Sequence, residues 1–190
     1  MKRTVLALVT TIVTGTGIAA QDTSWLRSWE TAQKEKPARL TSSERIAPAS
    51  EPGTPFVMHG TITDPAGKPA AGVEVFAYQT DATGLYAKDG GAYPWRLRGW
   101  AVSDSQGRFE FKTIRPAAYP NRDIPGHIHL SFVTACCGRQ TSEVMFDDDA
   151  LATPQYRQRN AAVMFGKVTR RADGAQETSY TFRLKSSGEF

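Results

Sequence analysis

The sequence predicts an all-β protein, an antiparallel β-sandwich of about eight short strands with long loops and a short N-terminal helix. Three observations carry this. From Phe56 onward, short runs of β-branched and aromatic residues alternate with glycine, proline and aspartate turn signals. Helical spacing of apolar residues is confined to the stretch before Lys36. The 190 residues suffice for one hydrophobic core and are too few for two ordinary ones.

Taken in order, residues 1 to 20 have a basic start (Lys2, Arg3), an apolar run from Val5 to Ile18 and small residues at Ala19 and Ala20, the layout of a secretory signal peptide. The expected product is exported, to the periplasm or the extracellular space. The apolar run is shorter than the roughly 20 residues that span a bilayer, so no membrane span is expected once it is removed. Residues 21 to 54 are read as an N-terminal helix and linker arm. Trp25, Leu26, Trp29 and Ala32 fall at helical spacing after Thr23 or Ser24 as cap, and proline among Ser, Thr, Glu and Arg follows. The sandwich domain is placed at 55 to 190, with strands at Phe56 to Thr63, Gly72 to Gln79, Trp100 to Ser103, Arg108 to Ile114, His127 to Thr134, Glu143 to Phe146, Ala161 to Val168 and Thr178 to Leu184. Asp104-Ser105-Gln106-Gly107 closes a hairpin between the third and fourth.

Charge and cysteine usage exclude several classes. Removal of residues 1 to 20 lowers the formal net charge from +4 to +2, too little for a nucleic-acid footprint. The two cysteines are the adjacent pair Cys136 and Cys137, which cannot staple distant parts of the chain, and a bridge between neighbours strains their peptide. Both are therefore expected as thiols.

Chemistry is concentrated in the histidines. Of three, His127 and His129 sit at i and i+2 of a predicted strand, so their side chains share a face with Cα atoms about 6 to 7 Å apart and can converge on one ion. Tyr119 lies eight residues before His127 in a proline-flanked loop, and Tyr86 in a loop rich in glycine and aspartate.

An ordered series of motifs joins these residues. It runs through Gly60-Thr61-Ile62-Thr63-Asp64-Pro65-Ala66-Gly67-Lys68-Pro69, Val73-Glu74-Val75, Tyr78-Gln79-Thr80-Asp81-Ala82-Thr83-Gly84-Leu85-Tyr86, Gly107-Arg108-Phe109-Glu110-Phe111, Thr113-Ile114-Arg115-Pro116, Tyr119-Pro120 and Pro125-Gly126-His127-Ile128-His129. The series, from about residue 57 to 148, resembles the intradiol ring-cleavage dioxygenases, the protocatechuate and catechol dioxygenase family. The resemblance implies a non-haem Fe(III) cofactor held by Tyr86, Tyr119, His127 and His129. It also implies an oxidoreductase whose substrates are a small aromatic diol and O2. Both oxygen atoms enter as the bond between the hydroxylated carbons breaks, giving a muconate-type product. Tyr119 would be the ligand that substrate displaces. Phenolate oxygens are hard anionic donors suited to a trivalent ion. A homo-oligomer is compatible with this reading.

Departures from the family pattern single out further residues. Ile124 stands where the family has an active-site arginine, with Arg122 as the nearby substitute, and Glu143 stands where it has a glutamine. Trp95 is a candidate for the substrate pocket beside Ile124 and Glu143, and Tyr93 is the competitor of Tyr86 as ligand. Two rival readings exist. Gly60 to Val75 also resembles the metal-free transthyretin-like and carboxypeptidase-regulatory sandwiches, a binding-module reading. A cupin-like Fe(II) or zinc site would recruit His59 as a third nitrogen. Asp147-Asp148-Asp149 reads as a solvated turn.

Overall fold

Residues 23–87, 95–134 and 137–186 are described by the computed structural model. Among them lie helices α1 (Thr23–Lys34) and α2 (Pro154–Arg159) and ten strands. These are β1 (Ser43–Arg45), β2 (Pro55–Thr63), β3 (Glu74–Gln79), β4 (Leu97–Val102), β5 (Arg108–Ile114), β6 (His127–Thr134), β7 (Gly138–Phe146), β8 (Met164–Gly166), β9 (Thr169–Arg170) and β10 (Gln176–Arg183). One sheet has the order β1-β5-β2-β10-β9 and the other β4-β3-β6-β7-β8. Their inner faces share one core, with Met58, Phe109 and Phe182 of the first sheet packed on Val75, Leu130 and Val144 of the second. This is a β-sandwich, as expected, but its sheets are mixed rather than antiparallel and hold ten strands rather than about eight.

Three pairings are parallel: β1 with β5, β10 with β2, and β7 with β8. Alternation of apolar residues fixes which face of a strand is buried and carries no information about the direction of its neighbour. The extra strand β1 lies in the expected linker arm. Its three residues Ser-Glu-Arg lack an apolar pattern, and it is held by backbone pairing with β5 while the following Ile46 and Ala47 enter the core. Strand β7 extends back to Gly138 because its polar outer residues Arg139 and Thr141 pair with Val133 and Ser131 of β6. In place of one strand over Ala161 to Val168 the chain forms only the three-residue β8, preceded by α2 and followed after the expected strand by β9. The cap of α2 is Thr153, whose side chain accepts from the Tyr156 amide, with Pro154 in the first turn.

The second sheet has two occupied faces. Inward go Ile128, Leu130 and Phe132 of β6, and outward go His127, His129 and Ser131. Helix α1 covers part of the outer face, its Ala32, Trp25 and Trp29 packing on Phe76, Tyr78, Trp95 and Trp100. The thiol expected at Cys137 is a disulfide, and the chain's only other cysteine is its neighbour Cys136. Cys137 directly precedes β7, and its amide donates to the Thr134 hydroxyl at 2.9 Å. The segment read as a signal peptide, residues 1 to 20, lies outside the described residues, as do Tyr93 and Cys136.

Candidate metal centre

Strand β6 occupies the middle of its sheet, between β3 and β7. Its register sets Tyr78 and Glu143 on either side of His129, and Met145 opposite His127. Nδ1 of His127 lies 2.7 Å from the Pro125 carbonyl oxygen and Nδ1 of His129 lies 3.1 Å from a Glu143 carboxylate oxygen. Carbonyl and carboxylate only accept, so each Nδ1 carries a proton, and a ring that is neutral there presents a bare Nε2. Burial, reinforced by the neighbouring His129, lowers the pKa of His127 and keeps it neutral.

The two tyrosines arrive on loops that are fastened to each other. After β3, the side chain of Asp81 accepts from the Thr83 amide (2.8 Å), the Thr83 hydroxyl (2.7 Å) and the Leu85 amide (3.1 Å). The Arg96 amide then donates to the Tyr86 carbonyl at 2.9 Å. Burial opposes ionisation of Asp81, yet those hydrogen bonds and one from Arg96 outweigh it and hold its pKa below the ordinary value. The Thr80 hydroxyl donates to Ala117 O (2.7 Å) and the Ala117 amide to Asp81 O (3.1 Å), which seats the Tyr119 loop against the Tyr86 loop. Their closest approach is at Gly84, with φ +82°, where a Cβ would stand 2.1 Å from Ala118 O. Gly126 plays the same part on the other side, where a Cβ would stand 2.4 Å from Pro116 O.

Four donor atoms converge as a result. Tyr86 Oη lies 2.5 Å from Tyr119 Oη and 2.9 Å from His129 Nε2, while His127 Nε2 lies 3.1 Å from Tyr119 Oη and 3.1 Å from His129 Nε2. With both imidazoles neutral, this closed ring of four edges contains only the two phenolic protons. At least two edges therefore set lone pair against lone pair, an arrangement a positive charge at the centre would relieve. Donors about 2.0–2.2 Å from a shared ion and at right angles stand about 3 Å apart. The residues present thus fit a metal ion. Burial, with Tyr119 beside it, pushes the Tyr86 hydroxyl far above its usual pKa, so ionisation there requires a cation.

His127, His129 and Glu143 also offer ligand atoms within 4.8 Å of one another. Glu143 meets His129 at Nδ1, the nitrogen turned away from the phenols, so it supports the ligand while the four-atom ring is the better cage. The His129 hydrogen bond holds the Glu143 pKa below the ordinary carboxylate value.

The other residues singled out by the sequence are dispersed. Trp95 is 1 % exposed and stacks beneath Tyr78, one ring removed from His129, rather than facing an opening. Arg122 is an exposed turn residue whose amide donates to Tyr119 O at 3.4 Å. Ile124 is half-buried just ahead of β6. His59 lies on β2, in the other sheet, between Glu110 and Glu177, and takes no part in the centre. The three aspartates are engaged separately: Asp147 accepts from the Val168 amide, Asp148 pairs with Arg115, and Asp149 accepts from the Gly126 amide. Sequence reasoning passed over Asp81 and read Asp149 only as part of a solvated turn, yet both shape the ligand loops. The Asp-Ala-Thr-Gly turn signal at 81 to 84 was visible.

Fold and site together define a β-sandwich protein in which two tyrosines and two histidines converge in a cage that fits a metal ion. A family model described as "Dioxygenase" matches residues 31–186, and the chain belongs to this family, the intradiol ring-cleavage dioxygenases. The 6-chlorohydroxyquinol 1,2-dioxygenase of Cupriavidus pinatubonensis is 39% identical over 136 residues, 71% of this chain and 46% of that protein. Catechol 1,2-dioxygenase 1 of Acinetobacter lwoffii is 25% identical over 148 residues, 68% of this chain and 47% of its own length. The chain thus spans about half the length of the curated relatives it matches. Among solved structures, the dioxygenase domain of a dioxygenase carbohydrate-binding protein fusion from Streptomyces sp. SirexAA-E superimposes with TM-score 0.60 and 25% identity, covering 80% of this chain and 96% of that one. The fold is shared with 3-chlorocatechol 1,2-dioxygenase of Rhodococcus opacus 1CP, at TM-score 0.63, 21% identity and coverage of 79% and 68%.

Proposed function

We propose that this chain is an Fe(III)-dependent intradiol dioxygenase that opens catechol-type rings with O2 to muconate-type products. The observation that carries this reading is the ring of Tyr86, Tyr119, His127 and His129 donor atoms, whose edges of 2.5 to 3.1 Å the residues' own protons cannot satisfy. Bound Fe(III) would supply the charge that ionises the phenols and the Lewis acidity that makes a chelated catechol reactive to O2.

The protein's own part is positioning and proton handling. His127 and His129 are fixed donors on the central strand, oriented by Pro125 and Glu143. Tyr86 is the fixed phenolate, its main chain tied down by Asp81 and Arg96. Tyr119, in a proline-flanked loop, would be the second phenolate holding the ion and is placed to take up a catechol proton. The metal-free binding-module reading is not favoured, since it leaves the ring with fewer protons than edges.

Export to an oxidising compartment is part of the same reading, supported by the signal-like residues 1 to 20 and the disulfide at Cys137. The test is direct. Purified protein should hold about one Fe per chain, absorb in the visible through tyrosinate-to-iron charge transfer, and consume O2 with catechol. Protein that remains colourless and metal-free after Fe(III) loading would refute it.

A further inference from the structure

The wall behind the donor atoms is a ladder of nearly parallel rings. Trp95 stacks on Tyr78 with centroids 3.9 Å apart and planes at 16°, and Tyr78 stacks on His129 at 4.5 Å and 11°. The same Tyr78 ring meets Tyr86 at 5.9 Å, so it touches two of the four donor side chains. Register explains the arrangement: Tyr78 of β3 is paired directly with His129 of β6, and both side chains leave the same face. Tyr78 is itself held from α1, where Trp25 Nε1 donates to its hydroxyl at 3.2 Å and Trp25 stacks on Trp29 at 5.8 Å. Arg139 lies over both indoles, at 4.9 and 5.1 Å. Lys36 and Glu74, 2.7 Å apart, and the Arg98–Glu35 pair tie the chain just beyond the helix to β3 and β4.

The two histidines are oriented by different devices. His127 is buried and its Nδ1 is gripped by a main-chain carbonyl. For His129 the hydrogen-bonding partner is a Glu143 side chain that is 44% exposed, and a half-solvated carboxylate on a flexible stem fixes a ring poorly. Beside the His127 ring, which meets it edge-on at 4.6 Å, the flat face of Tyr78 is what stops the imidazole turning about its Cβ–Cγ bond, because a quarter turn would drive the ring edge into the phenol.

We propose that Tyr78 is a positioning residue for the metal ligand His129, setting the plane in which Nε2 meets the other three donors. This rests on the iron reading above. Partners that orient a metal ligand typically change metal affinity by about 10–100-fold when removed. A merely structural Tyr78 would affect stability alone.

The experiment compares Tyr78→Leu with Tyr78→Phe in the full chain, reading Fe(III) retention against a competing chelator and the position of the charge-transfer band. Tyr78→Leu should hold iron about 10–100-fold more weakly, with a displaced band, while Tyr78→Phe, which keeps the ring, stays within about threefold of the unmodified protein. A Leu variant that melts lower yet holds iron equally well with an unshifted band overturns the proposal. Unmodified protein that takes up no iron overturns the iron reading itself, and this inference with it. Should the Leu variant not fold, the assigned NMR spectrum of the Ga(III)-loaded unmodified protein decides: His129 ring protons shifted upfield by the Tyr78 ring current support the stack, and unshifted protons overturn it.

Discussion

Tyr86 and Tyr119, 33 positions apart in sequence, bring their hydroxyl oxygens to 2.5 Å of each other. Neither belongs to a strand, and their meeting depends on two loops locked together over Gly84 and Ala117. Because each donor has a different anchor, its removal should have a different effect. Tyr119→Phe should retain much of the iron and lose most turnover if, as the family resemblance implies, Tyr119 is the phenolate exchanged for substrate. His127→Ala and His129→Ala should lose iron, with affinity down at least 10–100-fold. Metal content and kcat measured on the same preparations check both. Unchanged iron in the two histidine variants would remove them from the ligand set.

Gly84→Ala tests the loop contact. A Cβ there is doubly excluded, by φ of +82° and by the Ala118 carbonyl at 2.1 Å, so the loops must part. The expected cost is about 1–3 kcal/mol together with reduced iron occupancy. Gly67→Ala is the control: φ is +86° but nothing stands within 4 Å, so it should lower Tm modestly and leave iron occupancy unchanged. Equal iron loss in both variants would show that the contact is irrelevant to the site.

How much of this was legible in the sequence depends on range. His127 to Thr134 was bounded correctly as a strand because its alternation and flanking proline are local signals, and the two-residue spacing then puts both imidazoles on one face. The turn at Asp104 to Gly107 was equally local, but the hairpin expected there does not form: β4 and β5 belong to different sheets, so the turn carries the chain from one sheet to the other. Strand direction was not legible: β10 docks parallel to β2 more than a hundred residues earlier, through core packing that leaves no local mark. Nor was the role of α1. Trp25 and Trp29 announced a helix, but only the register of β3 on β6 shows that it backs Tyr78 and, through it, His129. Trp95 illustrates the reverse error, an aromatic in a glycine-rich neighbourhood that suggested a pocket lining and is a buried rung instead.

Acid should loosen the Tyr86 loop through Asp81. Its pKa in the folded protein lies below the ordinary carboxylate value of about 3.9, so its contribution is fully present above that pH and is lost as pH falls through the lower folded value. Asp81→Asn keeps an acceptor oxygen but loses the charge that faces Arg96. It should be less stable than the unmodified protein near neutral pH by about 1–2 kcal/mol, with the difference shrinking below about pH 4. Denaturant titrations of both proteins at several pH values decide this. A gap that is constant with pH would mean that ionised Asp81 does not stabilise the fold.

Substrate charge supplies the last prediction. Recognition of a carboxylated catechol calls for a positive group near the ring. Ile124 occupies the position where the family resemblance places an arginine, and Glu143 the position of a glutamine. Glu143 is kept ionised at neutral pH by its hydrogen bond from His129, and it stands against a metal ligand. A like charge at this range opposes a substrate carboxylate by roughly 1 kcal/mol or more, which is a factor of about five. Arg98 and Arg115 are committed to Glu35 and Asp148, so they offer little compensation. Catechol, alkylcatechols and hydroxyquinol should therefore have higher kcat/KM than protocatechuate in O2-uptake assays. Glu143→Gln should narrow the gap by about fivefold, chiefly by raising kcat/KM for protocatechuate. A clear preference of the unmodified protein for protocatechuate would defeat the charge argument and direct attention to Arg122, the exposed arginine on the turn that follows Tyr119.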